Sequence, residues 1–414
     1  MSKRRHKPRD YRSARNAARR HALGLGGTFG FLMLLFVTLS THINPLWLTP
    51  TAWTDSSYAD YKPVHKFPRN GKTGLIRSFD WDTVLLGSSR VDIAFDPLLP
   101  EWDGKRVANL ALRGGTLNEH LAMLEYASEN EQLELAIIGV DLTDLTNPVT
   151  IPPGAGFEES PLSDTGDAFE KELRYRCGYS FFEMSVKTLN YKIRDRLSAY
   201  TPEGHWLRQL DKRPLRAVLQ YVSFMWSDRY ITQRKKSIEI NPAKVEALRS
   251  IIQLCQKKNI RLILCIPPNH AAFLSVFRLK HDPDPGFRID REVICQVVAE
   301  ENAKGSGAPV ELWDFNDFHP YNCEALPPID DPRKPSEYWA DGTHALPSLG
   351  KIMLARMLDW PLEDPAHASY GRKLESGDVE ARLDEITAGY ERYQNDHPDD
   401  HQWVIDHMDL WEKN

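Results

Sequence analysis

The chain predicts an α/β domain built on a parallel sheet and tethered by one apolar N-terminal helix. Three observations predict it. Residues 22–41, ALGLGGTFGFLMLLFVTLST, carry no charge, and twenty helical residues reach ~30 Å, the thickness of a bilayer core. From residue 80 onward, short apolar runs alternate with stretches of helical period, as strands and crossover helices do in βαβ units. Charged residues make up 27% and hydrophobic residues 41% of the 414. That balance excludes a disordered chain, a collagen-like repeat and a multi-span membrane protein.

Residues 1–21 hold nine Lys/Arg and one Asp, a charge of +8 directly before the apolar run. Positive residues stay on the cytoplasmic side. The reading is therefore a basic cytoplasmic head (1–21), an uncleaved single-pass signal anchor (22–41) in the inner membrane, and an extracytoplasmic, periplasmic remainder. A cleaved signal peptide is the rival, but its apolar core is shorter and ends in a small-x-small site, which Ser40-Thr41-His42 does not supply. A buried core helix is the other alternative. The basic head speaks for topology and anionic lipid before nucleic acid, and no nucleic-acid partner is expected. Residues 42–79 read as a linker, with Trp47 at the place of an aromatic interface anchor.

The expected domain covers 80–360. Its strands are TVLLG (83–87), RVANLAL (106–112), LELAIIGVDL (133–142), IRLILCIPP (260–268) and PVELWDF (309–315). The third is a continuous apolar run, as a strand buried on both faces should be. Helices are expected at 117–129, 242–258, 291–304 and 348–360, where apolar residues recur at helical spacing. The stripe Val245, Leu248, Ile251, Ile252, Cys255 is an example. Residues 143–241 break the rhythm and read as a helical insertion, with helices over 180–197 and 214–226. Residues 361–414 carry a charge of −9 and read as an acidic helical tail. Five cysteines without a CxxC spacing argue against a zinc cluster or a disulfide framework. Neither HExxH nor a phosphate-binding glycine loop is present, so no metal or cofactor is expected.

In open α/β sheets ligands bind beyond the carboxyl ends of the strands, so those loops hold the candidate site residues. Gly87-Ser88-Ser89-Arg90 follows the first strand. A serine there can be a nucleophile if a base serves it, or simply a helix cap. Asp341-Gly342-Thr343-His344 precedes the last helix of the domain. A carboxylate three residues before an imidazole can orient the ring and stabilise its cation, or both can cap. Asn109 to Gly114 follows the second strand, and Gly114 can present an N–H to an oxyanion. Asp141 ends the third strand. Arg90 and Arg113 flank the site as anion-binding candidates, and His270, after the fourth strand, is a substrate-binding candidate.

Taken in this order, Gly-x-Ser, Asn-x-x-x-x-Gly, Gly-x-Asx and Asp-x-x-His resemble the four blocks of the SGNH (GDSL-like) hydrolase superfamily, over roughly residues 80–360. The resemblance implies a three-layer, flavodoxin-like fold. It also implies Ser89 as nucleophile, Gly114 as oxyanion donor, and His344 and Asp341 as base and its orienter. Two positions depart from the pattern. Ser88 stands where the family has Asp, and Asp141 stands where it has an oxyanion-hole Asn. The basic head, the single span and the blocks INP, GSSR, NLAL, IGVD and DGTH are similar to a membrane-anchored bacterial branch, akin in plan to proteins that O-acylate envelope polysaccharides. The expectation is thus a serine esterase or O-acyltransferase, with an envelope polysaccharide and a membrane-bound acyltransferase or assembly protein as partners. The alternative is a non-catalytic glycan-binding or scaffold protein.

Overall fold

The computed structural model describes residues 11–154, 156–207, 216, 217, 219, 231, 232, 236, 238–280, 284–305, 307–331 and 334–412. The first helix, α1 (Tyr11–Ile43), absorbs the end of the basic head and the whole apolar run. Among the described residues it alone is long and apolar enough to cross a membrane, and its apolar window is not buried by the protein.

Five parallel strands follow: β1 (Thr83–Leu86), β2 (Val107–Asn109), β3 (Leu135–Gly139), β4 (Arg261–Ile266) and β5 (Glu311–Asp314). Their spatial order is β2-β1-β3-β4-β5, and a two-residue strand, β6 (Arg372–Lys373), adds antiparallel to β5. Leu85 pairs with Ile137 and Ile137 with Ile263, so the central registers line up. Val, Ile and Leu dominate the central strands because both faces are covered. Side chains alternate as the pleat demands. Val84, Leu86, Ala136, Ile138, Leu262 and Leu264 join one core. Leu85, Ile137, Ile263 and Cys265 join the other.

The first core is capped by α2 (Pro68–Ser78), α4 (Leu117–Asn130), α7 (Pro242–Lys258), α8 (Ala271–Leu279) and α9 (Arg288–Ala303). The second is capped by α3 (Ser89–Ala94) and α10 (Pro347–Leu358). Caps fix the starts of these helices. Thr116 and Glu119 form a capping box on α4, and the Asn241 side chain accepts from the Ala243 N–H on α7. In the insertion, α5 (Ala168–Cys177) and α6 (Tyr179–Ile193) form a hairpin. The helix expected over 214–226 lies, apart from Arg216, Ala217 and Leu219, outside the described residues. All five cysteines are unbridged.

Two segments differ from their sequence reading. Residues 42–79 are packed protein. Trp47 is 2% exposed with the Lys62 ammonium 4.7 Å from its ring centre, so it sits in the core and anchors no membrane interface. A Cβ on Gly74 would lie 1.8 Å from the Leu46 carbonyl oxygen, so glycine lets α2 press directly on this segment. The composition, rich in Pro, Thr and Lys, hid a core because its apolar residues follow no period. Residues 361–414 do form helices, α11 (Val379–Asp396) and α12 (Pro398–Glu412), but they belong to the sheet. They follow β6, and Arg382 of α11 donates to Asp314 at 3.0 Å and to Asp317 at 2.7 Å. Asp314 is buried and also receives Arg291 at 2.9 Å. Burial works against its charge, yet the two guanidiniums hold its carboxyl below the ordinary range.

Candidate functional site

The site forms where the strand order reverses, between the carboxyl ends of β1 and β3, the usual crevice of a doubly wound sheet. Gly87 has φ +150. A Cβ on it would lie 2.6 Å from the Val91 methyl, and one on Gly139 2.5 Å from the same methyl. The two glycines thus allow α3 to start directly over both strand ends.

Ser88 caps α3, its Oγ accepting the Arg90 N–H at 3.3 Å. That leaves Ser89 as the first helical residue, half-buried, with its own N–H among the helix's unpaired donors. Its Oγ lies 2.8 Å from His344 Nε2. His344 Nδ1 lies 2.8 Å from both carboxylate oxygens of Asp341. The Asp341 side chain is 1% exposed and that of His344 21%, so the ring borders solvent while its partner is enclosed. Asp341 Oδ1 also accepts the backbone N–H groups of Thr343 at 2.9 Å and His344 at 3.0 Å. The carboxylate therefore shapes the loop that carries the imidazole. A bridge between Trp339 and Ala345 closes the base of that loop.

These residues open on a cleft of about 400 Å³ lined by Ser88, Ser89, Arg90, Arg113, Gly114 and Asp141, with Thr116, Thr143, Asn147 and Trp206 further out. Gly114 is exposed with φ +64, and nothing lies within 4 Å of where its Cβ would stand. Its backbone is thus open to a ligand. Asp141 faces Arg90, Nε to Oδ1 3.6 Å, and this oxygen is buried without a hydrogen bond. Arg113 lies 4.6 Å from the Trp206 ring centre and donates to the His65 carbonyl at 3.2 Å. On the far wall burial raises the Asp144 carboxyl, while Lys244, 3.0 Å away, opposes the shift.

Seven of the sequence-derived residues thus meet around one cleft, and Asp341 stands directly behind it. Two do not face it. Asn109 is fully buried. Its amide donates to the carbonyls of Val91 at 3.0 Å and Phe95 at 2.9 Å, and its oxygen accepts the Ala111 N–H at 3.1 Å. Those bonds tie β2 to α3 and leave nothing for a substrate. His270 is 2% exposed. Its Nδ1 caps α8, accepting from the Ala272 N–H at 3.1 Å, and its Nε2–H donates to the Glu324 carbonyl at 2.9 Å. Its backbone N–H donates to the Gly342 carbonyl at 3.1 Å, so it braces the loop of Asp341 and His344 from beneath. Burial pushes its imidazole down to about 4. Sequence reasoning missed Trp206. It arrives from within the insertion, and a lone aromatic in an irregular stretch carries no positional signal. Among the described residues no cluster of His, Cys, Asp or Glu is arranged to hold a metal ion.

In chemical terms the site offers a hydroxyl paired with an oriented imidazole, a helix-start N–H and an open glycine beside it. Comparison with known proteins adds no relative: no family model, no curated protein and no solved structure matches the chain.

Proposed function

We propose that the protein is a membrane-anchored, extracytoplasmic serine esterase or O-acyltransferase of the SGNH type, acting on acyl groups of an envelope polysaccharide. The observation that carries this reading is the continuous contact from Ser89 through His344 to Asp341. His344, oriented by Asp341, takes the Ser89 proton. The Ser89 oxygen attacks an ester carbonyl, and the Ser89 and Gly114 N–H groups hold the oxyanion. The alkoxide of the ester leaves with the proton from His344, and an acyl-serine remains. Water or a sugar hydroxyl then attacks the acyl-serine, with His344 again as base. The strand order 2-1-3-4-5 is the flavodoxin-like one and supports the fold half of the reading. Arg113, held over Trp206 at the cleft, suits a polar or anionic group of an acceptor. The basic head and α1 support the reading of a single inner-membrane span with a cytoplasmic N-terminus and a periplasmic domain. A membrane-bound acyltransferase or a polysaccharide assembly protein is the expected partner.

A fluorophosphonate probe tests the chemistry. Wild type is labelled, whereas Ser89→Ala and His344→Ala are not. Equal labelling of wild type and Ser89→Ala overturns the mechanism.

One observation favours a second reading, a glycan-binding protein without turnover. Asp141 presents a carboxylate at the cleft where oxyanion chemistry needs a donor. Asp141→Asn decides between the two. Esterase activity that emerges only in this variant supports the binding protein. Activity present in wild type and lowered in the variant supports the enzyme and gives Asp141 a role in it.

A further inference from the structure

The hairpin of α5 and α6 lies against α1 at a height that its own sequence explains. The Phe182 ring of α6 stacks on the Phe36 ring of α1, centroids 4.3 Å apart and planes within 15°. Phe36 belongs to the uncharged run and lies seven residues before the end of α1, about 10 Å along the helix axis. Between residues 31 and 40 of α1 the residues shielded from solvent are Met33, Phe36, Val37, Leu39 and Ser40, and all but Leu39 follow the i, i+3, i+4, i+7 spacing of one helix face. That face meets the hairpin. The opposite end of α6 lies away from the apolar run, with Asp195, just past it, accepting from Tyr61 at 2.9 Å. The hairpin therefore points its tip, Cys177-Gly178-Tyr179, down along α1.

The tip is tied to the rest of the domain by packing and one ion pair. Tyr175 and Phe181 pack with Leu46 and Leu48, where the chain leaves α1. Arg77 of α2 pairs with Glu172 at 2.6 Å. Yet the tip exposes what a soluble surface would not. Tyr179 is 74% exposed, and along α5 Phe169 is 77% and Leu173 49% exposed. Residues 174–182, RYRCGYSFF, hold four aromatic residues, two arginines and no acid. Aromatic residues and basic residues together are the composition of a membrane–water interface. Arginine reaches the phosphates while its stem stays in apolar surroundings.

We propose that the tip of this hairpin, Arg174 to Phe182, sits in the headgroup and upper acyl region of the bilayer that α1 crosses, with Tyr179 in the lipid and Arg176 at anionic headgroups, while Arg174 pairs with Glu170 at 2.6 Å. The proposal rests on the reading of α1 as a membrane span. The partner is the lipid surface itself. A second contact of this kind fixes the tilt and rotation of the domain, which a single helix with a free linker leaves open.

The test uses the full chain in vesicles of phosphatidylcholine and phosphatidylglycerol, with Cys177→Ser as background because the other four cysteines are buried. A bimane fluorophore is placed by Leu32→Cys in α1, by Tyr179→Cys at the tip, and by Leu98→Cys, which is exposed beside the core on the other face of the sheet. Quenching by lipids brominated near the headgroup or near the chain end reports depth. The expected result is strong quenching at 32 by chain-end bromines. At 179 the fluorescence falls at least about twofold, and the quenching is strongest with headgroup-proximal bromines. At 98 there is none. Quenching at 32 with 179 no different from 98 overturns the hairpin proposal and leaves the anchor standing. Absence of quenching at 32 overturns both.

Discussion

Two polar clusters share the short helix α3, and they behave oppositely. At its first residue Ser89 meets His344 and Asp341 and faces a cleft. Three residues later Asp92 points inward. One of its oxygens accepts Lys72 at 2.8 Å and the other accepts the Tyr200 hydroxyl at 2.6 Å. Lys72 also donates to the Asn109 carbonyl at 2.7 Å and to the Gly204 carbonyl. Lys72 and Asp92 are both fully buried. Both clusters unite residues far apart in sequence around a carboxylate. In the sealed one every charged group has its partners inside the protein, and no atom is left for a ligand. Its work is to bind α2, α3 and the 200–204 segment together. In the open one the chain of partners ends on a hydroxyl at the solvent boundary. A buried ionic cluster is thus a structural joint, and a cluster that stops one atom short of closure is a site.

Three experiments break or sharpen this contrast. The largest effect is expected in the open cluster. Asp341→Asn keeps an acceptor for the Thr343 and His344 N–H groups but presents the wrong partner to the imidazole. Fluorophosphonate labelling or ester turnover should fall ~10⁴-fold while the urea midpoint barely moves. A loss of stability without loss of rate would make Asp341 a loop residue only.

In the sealed cluster the order reverses. Lys72→Met leaves Asp92 buried and uncompensated, and urea unfolding should show a loss of about 3–5 kcal/mol. Adding Asp92→Asn should restore part of it, and folded protein should still react with the probe. An unchanged midpoint in Lys72→Met would contradict the role given to this pair.

The smallest effect concerns His270, the brace beneath the loop of Asp341 and His344. Its imidazole ordinarily titrates at 6.5 and here at about 4, so the folded protein holds it neutral where the unfolded chain takes up a proton. Its stabilisation is complete above pH 6.5 and is lost as pH falls toward 4. The loss is at most on the order of 3 kcal/mol, at ~1.4 per pH unit. His270→Asn supplies a similar cap acceptor without the titration. Its stability should fall less steeply than that of wild type between pH 6.5 and 4, as followed by urea unfolding at each pH. Parallel curves would remove His270 from the acid response.

Much of the frame was legible from residues alone. The five parallel strands and the helices at 117–129, 242–258, 291–304 and 348–360 all appear within a few residues of their expected places, because each is long, periodic and bounded by Pro, Gly or a capping residue. The loops to inspect followed from the topology, and Ser89 and His344 do meet across them. Asn109 and His270 were misplaced because a polar residue at a strand end has the same sequence signature whether it faces the cleft or caps a neighbour. Residues 42–79 were misread because their burial has no period. β6 was missed because two residues make no pattern.

What the sequence determined by itself was local and periodic: the apolar helix, the strand–helix alternation, and which loops lie at the carboxyl edge. Hydrogen-bonding need and hydrophobic period act over a few residues, so they can be read there. Tertiary structure alone decided that Ser88 caps while Ser89 is left to reach His344, that Asp92 closes on Lys72, and that a helical hairpin lies along α1. Each of these is a choice between partners separated by tens to hundreds of residues, and only the packed chain brings the competitors together.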